Sequence, residues 1–417
     1  MDFSGTLSIL LAICIMCLLL LSTRKKKTWS NLPPGPTPIP FLGNMLQVEV
    51  KELIKSLRKL SETYGPIYTF YLGSRPCVVL SGYKVLKEAL IDKAEEFSGR
   101  GDFPAVQMWS HGNGEARTDA RTAQSPGPLP VLQDLESYRR RLLFTFPKIM
   151  RHVPGPHRQI YQNYLKLAAF VGEQLKMHKE ILDPNNPRDF IDCFLIKIQQ
   201  EKNNPSTHFN DETMSKTTVN LFFAGTETVS STLRYGLRIL LRHPEIEEKL
   251  HEEIDRVIGP HRSPCMEDRS RMPYADAVIH EIQRFADIVP MGVPHTVTRD
   301  IQFRGYTLPK DLNIIPLLCT AQADPTQFKN PTCFDPSHFL DENGRFRRND
   351  AFMAFSAGKR VCLGESLALM ELFIFLTTTL QHFALRALVA PAEIDITPES
   401  SGLGSIPRPY QFCLLPR

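Results

Sequence analysis

The spacing of apolar and polar residues predicts a mostly helical chain with a few short strands. Apolar residues alternate at 68–72 and 77–80 around a Gly-Ser-Arg-Pro turn, which predicts a β-hairpin. Apolar residues instead recur at helical spacing in three longer segments, 160–181, 213–241 and 245–257. Further short strands are expected at 302–308 and 410–415. The pattern therefore predicts a mainly helical α+β fold with a minor sheet.

The N-terminus carries the apolar segment expected of a membrane helix. Residues 3–21 approach the roughly 20 apolar residues that a spanning helix needs. Four basic residues follow at 24–27, whereas only Asp2 precedes the segment, so residues 1–23 are predicted to be a single-pass anchor with the remaining chain in the cytosol. A cleaved signal peptide is the alternative, but the positive charge follows the apolar segment and no small-residue cleavage site is evident.

A basic and proline-rich hinge is predicted at residues 24–40, ahead of a catalytic body at 41–417. The run Pro33-Pro34-Gly35-Pro36, with Pro38, stiffens the chain because proline fixes φ and removes backbone donors. Such a hinge would hold the body at a set angle to its anchor. A plain spacer is the simpler interpretation, and both can hold.

Composition narrows the class of protein. The 417 residues are 42% hydrophobic and 23% charged, which is typical of a globular chain. A net charge of +4 without a basic-aromatic run gives no support for a nucleic-acid partner. Nine cysteines without paired metal spacing indicate a reducing compartment. Cys14 and Cys17 match C-x-x-C, but their apolar surroundings favour helix packing over redox chemistry.

The most informative segment is 355–364, in which Cys362 stands between two glycines just before an apolar stretch at 367–380. That stretch is apolar on nearly every face and predicts a buried helix. A thiolate at its start would meet unpaired N–H groups and the positive end of the helix dipole, which favours the ligating form. Gly358 and Gly364 would let a flat cofactor lie close to the backbone. The simplest alternative is a buried cysteine acting as a small hydrophobe.

Two further side chains in this segment have predicted roles. Phe355 would shield the sulfur from water, and Arg360 would offer a fixed cation to a cofactor carboxylate. The spacing F-x-x-G-x-R-x-C-x-G resembles the haem-binding signature of the cytochrome P-450 superfamily. The resemblance implies haem b (iron protoporphyrin IX) as cofactor, with Cys362 as the iron ligand that favours O–O cleavage.

A second motif lies on the predicted helix at 213–241. A threonine inside a helix can bond back to a preceding carbonyl and bend the helix, and Gly225 loosens it further, so a widened turn for a small ligand such as O₂ is expected. Glu227 and Thr228 would then deliver protons. The alternative is a solvated carboxylate and a filler threonine. Beside the cysteine segment, Ala-Gly-Thr-Glu-Thr resembles the oxygen-activation motif of the same superfamily.

Glu281 and Arg284 lie three residues apart on one predicted helix face. Such a pair is usually an exposed ion pair of little energetic value. Here it resembles the E-x-x-R motif of the superfamily, whose arginine also bonds a later segment. That segment corresponds to 334–339, with His338 in the basic position, and the implied role is structural.

Two more residues resemble contacts to the haem propionates. His295, after Pro294, corresponds to a histidine at such a site, and Arg100, in Phe-Ser-Gly-Arg, corresponds to another. A lone loop histidine is otherwise most often a satisfied structural residue.

Together these motifs resemble a microsomal vertebrate family-two cytochrome P-450 over residues 1–114 and 144–417. The resemblance implies the P-450 fold with a small β-rich subdomain, a place in the endoplasmic reticulum membrane, and electrons from NADPH through NADPH-cytochrome P-450 reductase, with cytochrome b5 as a further partner. It also implies an apolar small-molecule substrate. The substrate walls are expected at 101–109, 222–224, 291–293 and 403–406.

The resemblance fails between residues 115 and 143. Relatives carry a helix with W-x-x-x-R there, followed by two more helices, whereas this segment lacks helical period and contains Pro126, Pro128 and Pro130. The helix C to E region is therefore predicted to be deleted or replaced, through a splice variant or a faulty gene model.

The predicted function is a haem-thiolate monooxygenase that hydroxylates or epoxidises xenobiotics, fatty acids or steroids. One alternative is a haem-thiolate isomerase that needs no O₂, against which both Glu227 and Thr228 argue. The other is an inactive shortened chain that does not hold haem, because losing core helices exposes apolar surface.

Overall fold

A computed structural model describes residues 31–49, 51–100, 150, 152–155, 157–402 and 404–417. The predicted anchor at 1–23 and the atypical segment at 115–143 lie outside these residues. Within them, no helix combines the length and the apolar character needed to cross a bilayer.

Helices are the predominant regular structure in the described chain and, with the small sheets, confirm the mainly helical α+β prediction. The longest, α5, begins where the Asn210 side chain accepts a hydrogen bond from the Thr213 N–H at 2.9 Å. The α-helices are α1 (Leu53–Tyr64), α2 (Tyr83–Lys87), α3 (His157–Glu180), α4 (Phe190–Gln200), α5 (Asp211–Arg242), α6 (Pro244–Val257), α7 (Pro273–Ala286), α8 (Cys319–Gln322) and α9 (Glu365–His382). A π-helical turn, Glu88–Asp92, continues α2. The 3₁₀ turns are Met266–Arg271, Pro336–Phe339, Gly358–Arg360 and Pro391–Glu393.

The strands form one five-stranded sheet and three two-stranded pairs. The strands are β1 (Ile67–Leu72), β2 (Arg75–Ser81), β3 (Gly99–Arg100), β4 (His295–Thr296), β5 (Ile301–Phe303), β6 (Tyr306–Leu308), β7 (Asn313–Leu317), β8 (Phe383–Ala387), β9 (Pro398–Ser401), β10 (Ser405–Pro407) and β11 (Phe412–Pro416). The large sheet has the order β1-β2-β7-β4-β3, and the pairs are β10-β9, β11-β8 and β5-β6. In the large sheet β2 and β7 are parallel and the other neighbours are antiparallel.

Most sequence-predicted elements are found with small boundary shifts. The hairpin at 68–72 and 77–80 is the β1–β2 pair, and the three long helical segments are α3, α5 and α6. The single strand expected at 302–308 is instead the hairpin β5–β6, because Arg304 and Gly305 turn the chain with positive φ.

The core has separate helical and sheet regions. Residues of α5, α6, α7 and α9 share one apolar cluster that includes Ile239, Leu250, Ile279 and Phe373. In β2, alternate residues enter different clusters: Val78 and Leu80 on one face, Cys77 and Val79 on the other. Strand β2 is therefore buried on both faces and anchors the sheet.

The helix α9 is not buried all round, contrary to the prediction for 367–380. Its inner face packs Leu369, Leu372 and Phe373 into the core, but Leu367 and Phe375 are 55% and 51% exposed. The apolar pattern alone could not distinguish a face that meets the core from one that does not.

The proline-rich segment is attached to the edge strand β1. The Thr69 backbone N–H donates to the Pro34 carbonyl at 2.9 Å, and the Thr69 hydroxyl donates to the Pro33 carbonyl at 2.7 Å. A side chain at Gly35 would lie 2.0 Å from the Thr69 carbonyl oxygen. The end of the predicted hinge therefore packs on the body.

Candidate haem-thiolate site

The cysteine loop is closed by a backbone hydrogen bond. The Cys362 N–H donates to the Phe355 carbonyl at 2.8 Å, and the intervening chain makes the turn Gly358–Arg360. The Phe355 ring packs edge-on against Phe352 at 6.2 Å between centroids. Cys362 is solvent-exposed, as is Leu363, whose side chain is fully exposed. The thiol is therefore held on a fixed loop and is accessible to a ligand.

Helix α9 begins directly after this loop. Its N-cap, Gly364, provides no side-chain cap, and a Cβ at Gly364 would lie 3.8 Å from the Cys362 sulfur. The first-turn N–H groups and the positive end of the dipole therefore lie close to the sulfur. The arrangement suits an anionic metal ligand.

The structure requires glycine at position 358 for a reason other than the predicted one. Its φ is +69°, and an added Cβ would lie 1.6 Å from the carbonyl oxygen of Leu90. Protein backbone, from the π-helical turn, therefore already requires glycine at this position. A role in admitting the cofactor is not needed to explain it.

Two arginines and a histidine that were predicted separately lie together beside the loop. Arg100 in β3 pairs with His295 in β4. His295 is buried and its Nδ1 donates to the Phe97 carbonyl at 2.7 Å, while the Arg360 Nε donates to the Ser98 carbonyl at 2.6 Å. Because Phe97 offers only an acceptor, Nδ1 must carry the hydrogen.

The charges in this cluster repel one another. Burial, followed by the positive charges of Arg100 and Arg360, lowers the pKa of His295. Partial burial and then Arg360 lower the pKa of Arg100. Among the described residues, neither Arg100 nor Arg360 forms an ion pair with a carboxylate. Because these two arginines have no carboxylate partner among the described residues, they fit the carboxylates of an anionic cofactor such as haem.

The oxygen-motif residues lie on a regular helix. Thr228 donates its hydroxyl to the Ala224 carbonyl at 2.7 Å, as the back-bonding argument predicts, and both Glu227 and Thr228 are half-buried. Helix α5 is nevertheless α-helical from Asp211 to Arg242, and the expected widened turn is not found within it. The prediction of a widened turn was wrong because the backbone hydrogen bonds of the helix accommodate a back-bonded threonine without a break.

One core cluster connects this helix to the cysteine loop. Val229, next to Thr228, belongs to the cluster against which Phe355 packs. The two segments therefore share one core.

The predicted substrate-wall residues differ in exposure: Phe222 is 57% exposed and Val293 50%, but Met291 is buried. Residues 101–109 and 403 of the expected walls lie outside the described residues.

Glu281 and Arg284 form a buried network rather than an exposed pair. The Arg284 Nη2 and Nε donate to the two carboxylate oxygens of Glu281 at 2.6 and 2.7 Å. Arg284 also donates to the carbonyls of Gln322 and Pro331 at 2.9 Å and of Cys333 at 3.1 Å. These carbonyls precede the predicted segment 334–339, so the predicted partner of the arginine was misplaced by a few residues.

The segment 334–339 is instead bound by Glu281. The Asp335 N–H donates to Glu281 at 2.9 Å, and the His338 Nδ1 lies 3.2 Å from the same carboxylate. His338 Nε2 lies 2.6 Å from the Lys329 carbonyl. Burial opposes protonation of His338, but the hydrogen bond and charge of Glu281 outweigh it and raise the pKa of His338. The carboxylate therefore joins α7 to the segment that leads to the cysteine loop.

Sequence reasoning missed the groups that hold these side chains. The carbonyls of Phe97 and Ser98 leave no side-chain signal, so no pattern could have indicated them. Asp287 was also missed: it ends α7 with φ 44° and accepts from Gln322 Nε2 at 2.7 Å. Burial raises the pKa of Asp287 to about 7, although the hydrogen bond from Gln322 opposes this.

Comparison with known proteins places the chain among close relatives. The family model described as Cytochrome P450 matches residues 33–122 and 131–414. The chain is 44% identical to Cytochrome P450 2G1 of Oryctolagus cuniculus and 45% identical to Cytochrome P450 2F3 of Capra hircus, in each case over 100% of both chains. It is 44% identical to Cytochrome P450 2C16 of Oryctolagus cuniculus, over 98% of this chain and 99% of the relative.

These alignments are also longer than this chain. The match to Cytochrome P450 2G1 spans 494 positions, 77 more than the 417 residues of the chain. The family match is interrupted at 123–130, inside the atypical segment 115–143. The family match includes 115–122 and 131–143, so the break in resemblance is shorter than predicted. The excess alignment length agrees with a shortened chain.

Proposed function

The chain belongs to the cytochrome P450 family and is a haem-thiolate monooxygenase, and on that premise we propose that it oxidises apolar organic substrates from the endoplasmic reticulum membrane. The proposed substrates are xenobiotics, fatty acids or steroids, which receive one atom of O₂ by hydroxylation or epoxidation. The proposed electron source is NADPH, through NADPH-cytochrome P-450 reductase and with cytochrome b5 as a further partner. The single-pass anchor at 1–23 and the cytosolic position of the body belong to the same proposal.

The observation that carries the assignment is the setting of Cys362. Its loop is closed by the Phe355 carbonyl, and its sulfur lies at the uncapped start of α9. When bound, haem would supply the iron chemistry that activates O₂. Cys362 would hold the iron, with Phe355 and Gly364 lining the same loop.

The cationic cluster would orient the cofactor by its two carboxylates. Arg360 and His295 are already fixed by backbone carbonyls, so little side-chain freedom is lost when they bind an anion. Arg100, opposite His295, adds a third donor. An arriving carboxylate would relieve the repulsion among these groups and favour protonation of His295.

Glu227 and Thr228 are proposed to hold and move protons. The Thr228 hydroxyl donates to Ala224, so its oxygen remains free to accept a further hydrogen bond. Glu227 is half-buried on the same helical turn. A carboxyl and a hydroxyl on one helical turn suit relay of a proton from solvent through a bridging water.

A second candidate is an inactive chain that fails to retain haem. The 77 alignment positions that exceed its length favour it. Loss of core helices would uncover apolar surface and weaken the packing around the metal ligand.

The test is the absorption spectrum of the purified full chain, reduced and saturated with carbon monoxide. The proposal expects a thiolate-type band in the wild type and its loss in Cys362→Ala. Cys193→Ala, which removes another exposed free cysteine, should keep the band. A wild-type chain that takes up no hemin would establish the inactive candidate, and a band that survives in Cys362→Ala would overturn the ligand assignment.

A further inference from the structure

The segment Leu90 to Arg100 lies against the cysteine loop, and three successive loop residues contact it. Gly358 packs on the Leu90 carbonyl so closely that an added Cβ would be 1.6 Å away. The Lys359 ammonium lies 2.6 Å from the Glu95 carboxylate. The Arg360 Nε donates to the Ser98 carbonyl at 2.6 Å. The loop therefore follows this segment residue by residue.

The same segment also holds the chain that continues from β4. The Thr298 N–H donates to the Glu96 carbonyl at 2.8 Å, and the Thr298 hydroxyl donates to the Glu95 carbonyl at 3.1 Å. His295 Nδ1 donates to the Phe97 carbonyl at 2.7 Å. Because one short segment accepts hydrogen bonds from both sides, it fixes the distance between the two sides.

Both ends of the segment are held in place by packing or by a hydrogen-bonded turn. Phe97 is 1% exposed and contacts the Phe303 ring edge-on at 5.1 Å. The π-helical turn Glu88–Asp92, closed by the Lys93 N–H bonding the Glu88 carbonyl at 2.8 Å, presents the Leu90 carbonyl to the loop. Single π-turns are rare and often occur at functional sites.

The contacts differ in strength. The Lys359–Glu95 pair has 57% and 71% exposed side chains, and such pairs contribute little. The carbonyl bonds of Arg360 and His295 are partly or wholly buried, and the Gly358 contact is set by backbone on both sides. Steric fit at Gly358 should therefore have the larger effect on loop position.

We propose that the segment Leu90–Arg100 is a positioning element that sets the place of the Cys362 sulfur relative to His295, with Gly358 as its docking residue on the loop. This inference rests on the proposed haem-thiolate function. Gly358 acts through the loop and does not need to touch the cofactor.

The decisive comparison is Gly358→Ala against Gly344→Ala. Both glycines have nearly the same φ, +69° and +70°, but a Cβ at Gly344 meets nothing within 4 Å. The two variants therefore share the backbone strain and differ in the Leu90 contact. In folded protein, haem release into apomyoglobin should be about tenfold faster or more for Gly358→Ala, with a smaller thiolate-type carbon monoxide band, and unchanged for Gly344→Ala.

A charge-reversal series covers the case in which Gly358→Ala does not fold. Lys359→Glu and Glu95→Lys should each speed haem release by about twofold to fivefold, and the double variant should restore the wild-type rate. A purely structural role would lower the unfolding midpoint and leave haem release from folded protein unchanged. Equal haem release from the two glycine variants, or no rescue by the double reversal, would overturn the positioning role. A wild type without a thiolate band would instead refute the proposed function.

Discussion

Arg100 lies directly opposite His295 across the β3–β4 pair, and its positive charge disfavours protonation of the imidazole. Repulsion from Arg100 adds to burial in lowering the pKa of His295, so the imidazole is neutral near pH 7 until an anion arrives. The pair therefore links anion binding to proton uptake at the imidazole.

The first prediction concerns that link. Arg100→Gln should raise the pKa of His295 in the cofactor-free chain, because one of the two repelling charges is removed. The His295 ring carbon resonance, followed by NMR across pH 5–8, measures it. The same change should speed haem release about tenfold, as expected for loss of one charge-assisted hydrogen bond.

Arg345→Gln is the control for Arg100→Gln, since Arg345 lies exposed in a turn outside the cluster. It should alter neither the titration nor haem release. An unchanged His295 titration in Arg100→Gln would show that the two side chains do not interact.

The second prediction concerns the buried network. Glu281→Gln should lower the free energy of unfolding by about 3–5 kcal/mol, because Arg284 would be left as a buried, uncompensated charge. Urea unfolding followed by circular dichroism measures the loss. Glu212→Gln, which breaks the exposed Glu212–Lys216 pair of 2.6 Å, should change little. Equal effects of the two substitutions would contradict a special role for the buried pair.

The third prediction is a pH dependence at His338. Its pKa is raised in the folded chain, so its stabilising contribution is complete below about pH 6.5, the unfolded value, and is lost as pH rises through the higher folded value. His338→Gln should therefore destabilise the chain more at pH 6 than at pH 9. Paired urea titrations at the two pH values test this, and a pH-independent difference would exclude a protonated imidazole beside Glu281.

The fourth prediction concerns Asp287, whose folded pKa is about 7. An acid with a raised folded pKa lowers stability as pH rises from about 4 through 7, because the folded state gives up its proton less readily. Asp287→Asn keeps an acceptor for Gln322 and suits the left-handed φ of 44°. It should stabilise the chain at pH 8 by on the order of 1 kcal/mol and by less at pH 5. Thermal unfolding at both pH values provides the measurement; equal shifts would refute the raised pKa.

The sequence predicted the fold well where local pattern and packing agree. The hairpin β1–β2 and the helices α5 and α6 were readable because their apolar period is strong and their ends carry turn or cap residues. The exposed face of α9 was not readable, since an all-round apolar helix gives no indication of which side meets the core.

The candidate site was predictable only as separate side chains. Cys362, Arg360, His295 and Arg100 each stood out by residue type and family resemblance, but their meeting depends on strand pairing between distant segments. The Phe97 and Ser98 carbonyls that orient them were not predictable, because backbone acceptors are common to every residue. The reason for Gly358 likewise needed the position of Leu90.

The order of the large sheet also has a consequence for biosynthesis. Strand β7 pairs with both β2 and β4, so the hairpin made early in translation lacks its neighbour until residues 313–317 have left the ribosome. Until then, the nascent chain presents an apolar strand with an open edge. That edge stays open for most of the synthesis time, so the nascent hairpin is exposed to wrong strand pairing until β7 is made.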